Sequence, residues 1–224
     1  MKHKNIALIG ASSEIASSFI DISNQKGDKI YCVTSNNSFN KDCYKKLIIN
    51  DYIEDRDKVV SFLQNIENLT VIFFNGFLAE NRKKQYPSVD EIVVTDKANF
   101  LVPYHFSVAF KDFQNINNLI YISSIAAVKP RYKNYIYGLT KRKLEESIKK
   151  IGLYKFLIIR FGKVSTKMSS EHKNPPFVMS AYQASSFIYS NLNNSGTTYP
   201  KIGLFFTSLI LKVMPVKLID RLGY

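Results

Sequence analysis

The sequence predicts an α/β protein: a doubly wound, mostly parallel sheet of seven strands flanked by helices, built as one domain. Three observations predict it. Short strand-like runs recur down the chain with helix-like stretches between them, and such alternation feeds parallel strands through helical crossovers. Several runs, VIFF at 71–74 and FLII at 156–159 among them, are continuously apolar, which suits strands covered on both faces. The first run passes straight into Gly10, a residue suited to a tight turn at a strand end. A chain of 224 residues is long enough for one such domain with a substantial core.

In order, strands are placed near Asn5 to Ile9, Lys29 to Thr34, Leu47 to Asn50, Leu69 to Phe74, Asn118 to Ser123, Lys155 to Arg160 and Thr197 to Tyr199. There is no internal repeat, low-complexity tract or interdomain linker. The opening apolar run is too short for a signal-peptide core and reads as a buried first strand.

Composition narrows the function. Lys and Arg number 31 against 18 Asp and Glu, a net charge of +13. That balance suits nucleic acid, an anionic membrane surface or anionic substrates. No localised basic run is present of the kind a nucleic-acid arm shows, so no nucleic-acid partner is expected. Cys32 and Cys43 make no disulfide framework and fit a reducing cytosol. His105 and His172 lack companions at metal-ligand spacing, and no metal is expected.

The chemistry concentrates between Ile122 and Ser147. Ser124 is followed thirteen residues later by Tyr137, and Lys141 lies four residues beyond it on a stretch rich in helix formers. On a helix, positions i and i+4 share a face, so a phenol and an ammonium project together. Such a pair suits carbonyl reduction or its reverse. Negative charge grows on the oxygen as hydride reaches the carbon, and a proton donor there lowers the barrier. The ammonium favours the phenolate and is expected to lower the phenol's pKa. Ser124, ending the run LIYIS, is placed to hydrogen-bond the same oxygen.

The Ser124, Tyr137 and Lys141 set resembles that of the short-chain dehydrogenases and reductases, single-domain Rossmann enzymes using NAD(H) or NADP(H), over nearly the whole chain. The resemblance implies Tyr137 as proton donor or acceptor and Lys141 as ligand of the nicotinamide ribose. It implies Ser124 as holder of the substrate oxygen and Asn99, in KANFLVP, as support for a proton-relay water. Gly10, Ser12, Ser13, Glu14 and Ile15 then form the turn that faces the pyrophosphate, where the N-terminus of the next helix favours negative charge. Only Gly10 keeps the family's TGxxxGxG pattern, since Ile9, Glu14 and Ala16 replace its other residues. Glu14 brings a carboxylate that must point away from a bound dinucleotide.

Other segments follow the same resemblance. Thr34, Ser35 and Asn36 end the second strand with no acid to hold ribose hydroxyls, which favours NADP(H) over NAD(H). Asp51 and Tyr52 match the segment near adenine, and Asp51 equally suits a helix N-cap. Asn75, Gly76 and Phe77 stand at the end of the fourth strand, where Phe77 narrows the passage for cofactor. Gly162, Val164 and Thr166 match a turn that contacts carboxamide and phosphate, with Phe161 in place of the usual Pro.

Flanking groups border the expected substrate. Arg82, Lys83 and Lys84 read as a solvated face or as phosphate ligands. Lys129, Arg131 and Lys133, interleaved with Tyr132 and Tyr135, read as a phosphate clamp or as a solvated loop. Residues 167–177 are expected to form a lid. Residues 1–200 constitute the cofactor-binding domain, and 201–224 an amphipathic tail packed on the domain, at an oligomer interface or on a membrane surface. The tail resembles that of short-chain reductases of glycan assembly. It points to a small carbonyl substrate, anionic or lipid-linked, such as a keto-sugar or sugar phosphate of surface-polysaccharide synthesis. The implied state is a homodimer or homotetramer in the cytoplasm or at the membrane's inner face. A second class, a non-catalytic NAD(P)-binding regulator or scaffold, is favoured by the incomplete glycine pattern.

Overall fold

The structure is a computed structural model and describes residues 3–79, 86–169 and 175–221. Its order is β1 (Asn5–Ile9), α1 (Glu14–Gln25), β2 (Lys29–Thr34), β3 (Lys45–Ile48), α2 (Arg56–Leu63), β4 (Leu69–Phe73), α3 (Val89–Asp96), α4 (Val102–Phe110), β5 (Ile116–Ser124), α5 (Tyr135–Ile148), β6 (Phe156–Phe161), β7 (Val164–Ser165), β8 (Met179–Ser180), α6 (Ala181–Ser190), β9 (Gly196–Thr198), α7 (Ile202–Val213) and α8 (Val216–Arg221). Seven strands form one parallel sheet, as the sequence predicts, and their order is β3-β2-β1-β4-β5-β6-β9. The strand order reverses direction between β1 and β4, the switch point where such sheets bind ligands at their carboxyl ends.

Alternation along each strand divides the core. Ile6 and Leu8 of β1 face one way, into a cluster with Phe19 and Ile20 of α1 and Ile188 of α6. Ala7 and Ile9 face the other way, towards Phe106, Phe110, Leu144 and Ile148 on α4 and α5. Truncating any such fully buried Ile or Leu to Ala costs about 2–5 kcal/mol. Because both faces are covered, these strands are continuously apolar.

Two differences from the sequence reading have physical causes. The third strand begins at Lys45 rather than Leu47, because β3 is an edge strand whose exposed Lys45 and Lys46 carry no apolar signal. The β7–β8 pair joins residues fifteen positions apart, Val164 to Met179, and two-residue strands have no periodicity to read.

Candidate active site

The carboxyl ends of β1, β2 and β4 lie level, with Ile9 opposite both Val33 and Phe73. The Gly10 and Ala11 amides both donate to the Val33 carbonyl at 3.1 Å. Gly10 has φ +88°, and a Cβ there would lie 2.8 Å from the Asn75 nitrogen, so only glycine lets this turn nest against the end of β4. Ser13 caps α1, its hydroxyl accepting from the Ala16 amide at 3.1 Å. The other first-turn amides of α1 have no intrahelical partner, which suits them to an anion at this turn. Ile15 ties the helix to α6, its carbonyl accepting from the Ser185 hydroxyl at 2.7 Å, while Ser12 is exposed. The Glu14 carboxylate turns away from the turn and accepts from the Lys167 amide at 2.7 Å.

Next, the Tyr52 phenol lies near Ser35, Asn75 and Thr34, whose polar groups lower its pKa, while burial pushes it up by more. This side chain therefore sits between the ends of β2 and β4. The buried Asn75 Oδ1 has no hydrogen-bond partner among the described residues. Asn36 forms a local turn instead, its amide donating to Thr34 Oγ1 at 3.1 Å and its Oδ1 accepting from the Ser38 amide at 2.9 Å. Asp51 is held by Lys97 and by the amides of Ile53 and Glu54.

Asn99 sits in a single π-helical turn, Lys97–Leu101, that joins α3 to α4. Such turns place side chains that a regular helix would misdirect. Buried Asn99 donates to the Phe77 carbonyl at 2.7 Å and accepts from its amide at 3.3 Å. A Cβ on Gly76 would stand 3.3 Å from Asn99 Oδ1 and 3.9 Å from Lys141 Nζ. The backbone at Gly76 thus passes close to both side chains, with little room for a Cβ on the Asn99 side.

Ser124 ends β5, and Tyr137 and Lys141 lie on one face of α5, as their spacing predicts. The Ser124 hydroxyl lies beside the Tyr137 phenol, whose pKa it lowers, and accepts from the Ala126 amide at 3.2 Å. Lys141 Nζ is 5.9 Å from the Tyr137 ring centroid and donates to the Ile122 carbonyl at 2.9 Å. Burial lowers the Lys141 pKa to about 8, opposed by the charge of Glu145. Burial also pushes the Tyr137 phenol up to about 12, opposed by Ser124. The expected lowering of that phenol is therefore corrected: desolvation outweighs an ammonium that is bonded elsewhere.

Four residues that the sequence reading missed hold this group together. Gly138 follows Tyr137, and a Cβ there would lie 2.7 Å from the Ala126 carbonyl oxygen, so α5 approaches the loop after Ser124 only at glycine. Arg142 reaches back from α5 to the Ala127 carbonyl at 2.8 Å and also to that of Val128. Buried Glu145 accepts from the Ser123 hydroxyl at 2.6 Å and pairs with Arg160. Arg160 also donates to the Tyr199 phenol at 2.7 Å. The available signals were an Arg inside the apolar run of β6 and a Glu four residues after Lys141.

On the far side, Gly162 lies beneath α7, where a Cβ would be 3.0 Å from Leu204 Cδ2. The Val164 carbonyl accepts from Ser169 Oγ at 2.6 Å and from Thr166 Oγ1 at 3.5 Å. Lys129 is engaged with the end of α7, and Tyr132 stacks edge-on against Tyr86 with centroids 5.9 Å apart. Arg82, Lys83, Lys84, His172 and the middle of the expected lid lie outside the described residues. Among the described residues no cluster of three or more His, Cys, Asp or Glu could hold a metal.

This arrangement can hold a dinucleotide from the α1 N-terminus across Gly76 to Tyr137, and can pass a proton to an oxygen between Ser124 and Tyr137.

Comparison with known proteins agrees on the fold. No family model matches the sequence, and no curated protein does. Among solved structures, a short-chain dehydrogenase from Burkholderia cenocepacia in complex with NADP is 15% identical, with TM-score 0.78 over 99% of this chain and 98% of that one. The Bordetella bronchiseptica enzyme WbmH in complex with NAD+ is 13% identical, with TM-score 0.65 over 88% and 74% of the two chains. Aldohexose dehydrogenase from Thermoplasma acidophilum is 13% identical, with TM-score 0.67 over 91% and 95%. The chain therefore has the Rossmann-like α/β fold of short-chain dehydrogenases.

Proposed function

We propose that this protein is an oxidoreductase moving a hydride between a nicotinamide cofactor and a carbonyl/alcohol pair. The observation that carries the proposal is the convergence of Ser124, Tyr137, Lys141 and Asn99 at the carboxyl end of the sheet. A bound nicotinamide supplies the hydride. Tyr137 gives its phenolic proton to the substrate oxygen as negative charge develops there, and Ser124 hydrogen-bonds the same oxygen. Lys141 places a positive charge beside the phenol and so stabilises the phenolate left behind. Asn99 fixes Phe77, and with it the backbone along which the cofactor lies.

The residues fit a dinucleotide. Gly10 makes the close turn, Asn75 Oδ1 is an unpaired buried acceptor beside it, and Glu14 is tied to Lys167 rather than aimed into the groove. NADP(H) is favoured over NAD(H), because β2 ends in Thr34, Ser35 and Asn36 without an acid to repel a 2′-phosphate. The substrate is a keto-sugar or sugar phosphate, free or lipid-linked, of surface-polysaccharide synthesis. The net charge of +13 supports an anionic one, and the fold shared with an aldohexose dehydrogenase is in keeping with a sugar. Exposed Val93, Leu101, Val108 and Leu139 on α3 to α5 support a homodimer or homotetramer. The protein works in the cytoplasm or against the membrane's inner face.

Titration with NADPH and NADH, followed by nicotinamide fluorescence, tests the proposal. Saturable binding with NADPH tighter is expected. Binding of neither cofactor, reduced or oxidised, would remove the hydride-transfer reading, and binding without turnover on any carbonyl would favour a regulator or scaffold.

A further inference from the structure

Helix α7 is tied at both ends to segments that border the site. Its inner stripe, Leu204, Ser208 and Leu211, is buried. Leu204 covers Gly162, and Phe177, held at φ 69°, packs so tightly over Gly203 that a Cβ there would lie 2.2 Å from its ring. At the other end, Lys129, from the loop between Ser124 and Tyr137, donates to the Met214 carbonyl at 2.5 Å and to that of Lys212 at 3.5 Å. A cation at this end satisfies carbonyls that the helix leaves unpaired.

The outer stripe is different. Ile202, Phe206, Leu209, Ile210 and Val213 follow the helical period on the opposite face and are 42% to 83% exposed. Val216 and Leu218, at the start of α8, are also exposed. The helix's two hydroxyls are satisfied by its own backbone, Thr207 donating to Gly203 and Ser208 to Phe205, each at 2.8 Å. A continuous apolar face of this kind marks an interaction surface.

Charge identifies the occupant. From Pro175 to Ile219 the chain contains no Asp or Glu, its only charged residues there are Lys201, Lys212 and Lys217, and Asp220 and Arg221 then close α8. Lys212 and Lys217 are exposed beside the apolar stripe. A second copy docked by two-fold symmetry would set this basic face against itself, with at most one acid per copy, Asp220 at the end of α8, to meet its lysines. An anionic lipid surface supplies both an apolar layer and the countercharge. Twelve residues rise only about 18 Å against a hydrocarbon core of about 30 Å, so α7 is too short to cross a bilayer. Among the described residues no helix is long and apolar enough to cross a membrane.

We infer that the outer face of α7, with the start of α8, docks this protein on an anionic lipid bilayer, apolar residues at the acyl boundary and Lys212 and Lys217 at the phosphates. The Gly162 turn and the Lys129 loop that border the site are then held beside the bilayer, which suits a lipid-linked carbonyl substrate. That last consequence rests on the hydride-transfer reading, whereas the docking surface does not.

Flotation of the full chain with vesicles tests the surface. With 7:3 phosphatidylcholine:phosphatidylglycerol vesicles the protein is expected to float, and with phosphatidylcholine alone to remain at the bottom. Ile210→Glu, at an exposed position, is expected to reduce the bound fraction at least tenfold with its melting temperature unchanged. Lys212→Ala and Lys217→Ala are each expected to weaken binding about fivefold. Wild-type protein that floats with neither vesicle overturns the inference. Equal flotation with both vesicles overturns its electrostatic part. A dimer in sedimentation that Ile210→Glu dissociates assigns the face to a second copy and also overturns it.

Discussion

Asn99 holds Phe77 at both backbone polar groups, donating to its carbonyl at 2.7 Å and accepting from its amide at 3.3 Å. The loop after β4 is therefore pinned from a π turn rather than by its own sequence. Asn99→Ala leaves both Phe77 groups without that partner and is expected to cost about 1–3 kcal/mol in urea denaturation. It should also weaken NADPH binding. Unchanged stability and affinity would show that the clamp does not shape the cofactor groove.

Glu14 occupies the first turn of α1, where a carboxylate meets the helix dipole favourably but would repel a pyrophosphate. Its bond to the Lys167 amide holds the charge aside. Glu14→Gln keeps an acceptor for Lys167 and removes the charge, so NADPH is expected to bind several-fold more tightly by calorimetry. Weaker binding would mean that the carboxylate itself serves the site.

The Glu145–Arg160 pair is almost wholly buried, and Glu145 also receives the Ser123 hydroxyl. Arg160→Met strands a buried carboxylate and is expected to destabilise by about 3–5 kcal/mol. Adding Glu145→Met should recover most of that loss. Chemical denaturation of the single and double variants measures the coupling directly, and additive losses would refute it.

Burial sets the Lys141 pKa near 8, so its charge is lost as pH rises through that value. If the charge tunes Tyr137, kcat/KM falls about tenfold per pH unit above about 8, while Tyr137 keeps its own proton to about 12. The sign for stability is opposite. Between the lowered folded value and the ordinary lysine value the unfolded state binds more protons, so Lys141's contribution to stability rises with pH across that window. Lys141→Met is accordingly expected to raise the melting temperature at pH 7 while abolishing turnover. A pH–rate profile flat through pH 9 would contradict this role.

Local chemistry made much of this legible in the sequence. β1 and β2 were readable to the residue because both are buried apolar runs ending at turn residues. Tyr137 and Lys141 were readable because helical spacing alone puts them on one face. The π turn at Asn99 was not, since KANFLVP reads as ordinary helix up to its proline. Glu145 and Arg160 were hidden for a different reason. Each looks like a surface charge until the tertiary fold buries it against the other, and sequence separation carries no trace of that. The pKa of Tyr137 went astray similarly, because neighbouring charge is visible in sequence and desolvation is not.

The central claim is that Tyr137 supplies the proton for hydride transfer, and Tyr137→Phe tests it most directly. NADPH oxidation by wild-type protein over a panel of keto-sugars and sugar phosphates identifies a substrate, and the variant is then compared on it. A loss of about 10²–10⁴-fold in kcat, with NADPH affinity unchanged because the ring remains, is the predicted result. Full turnover by the variant would contradict the account.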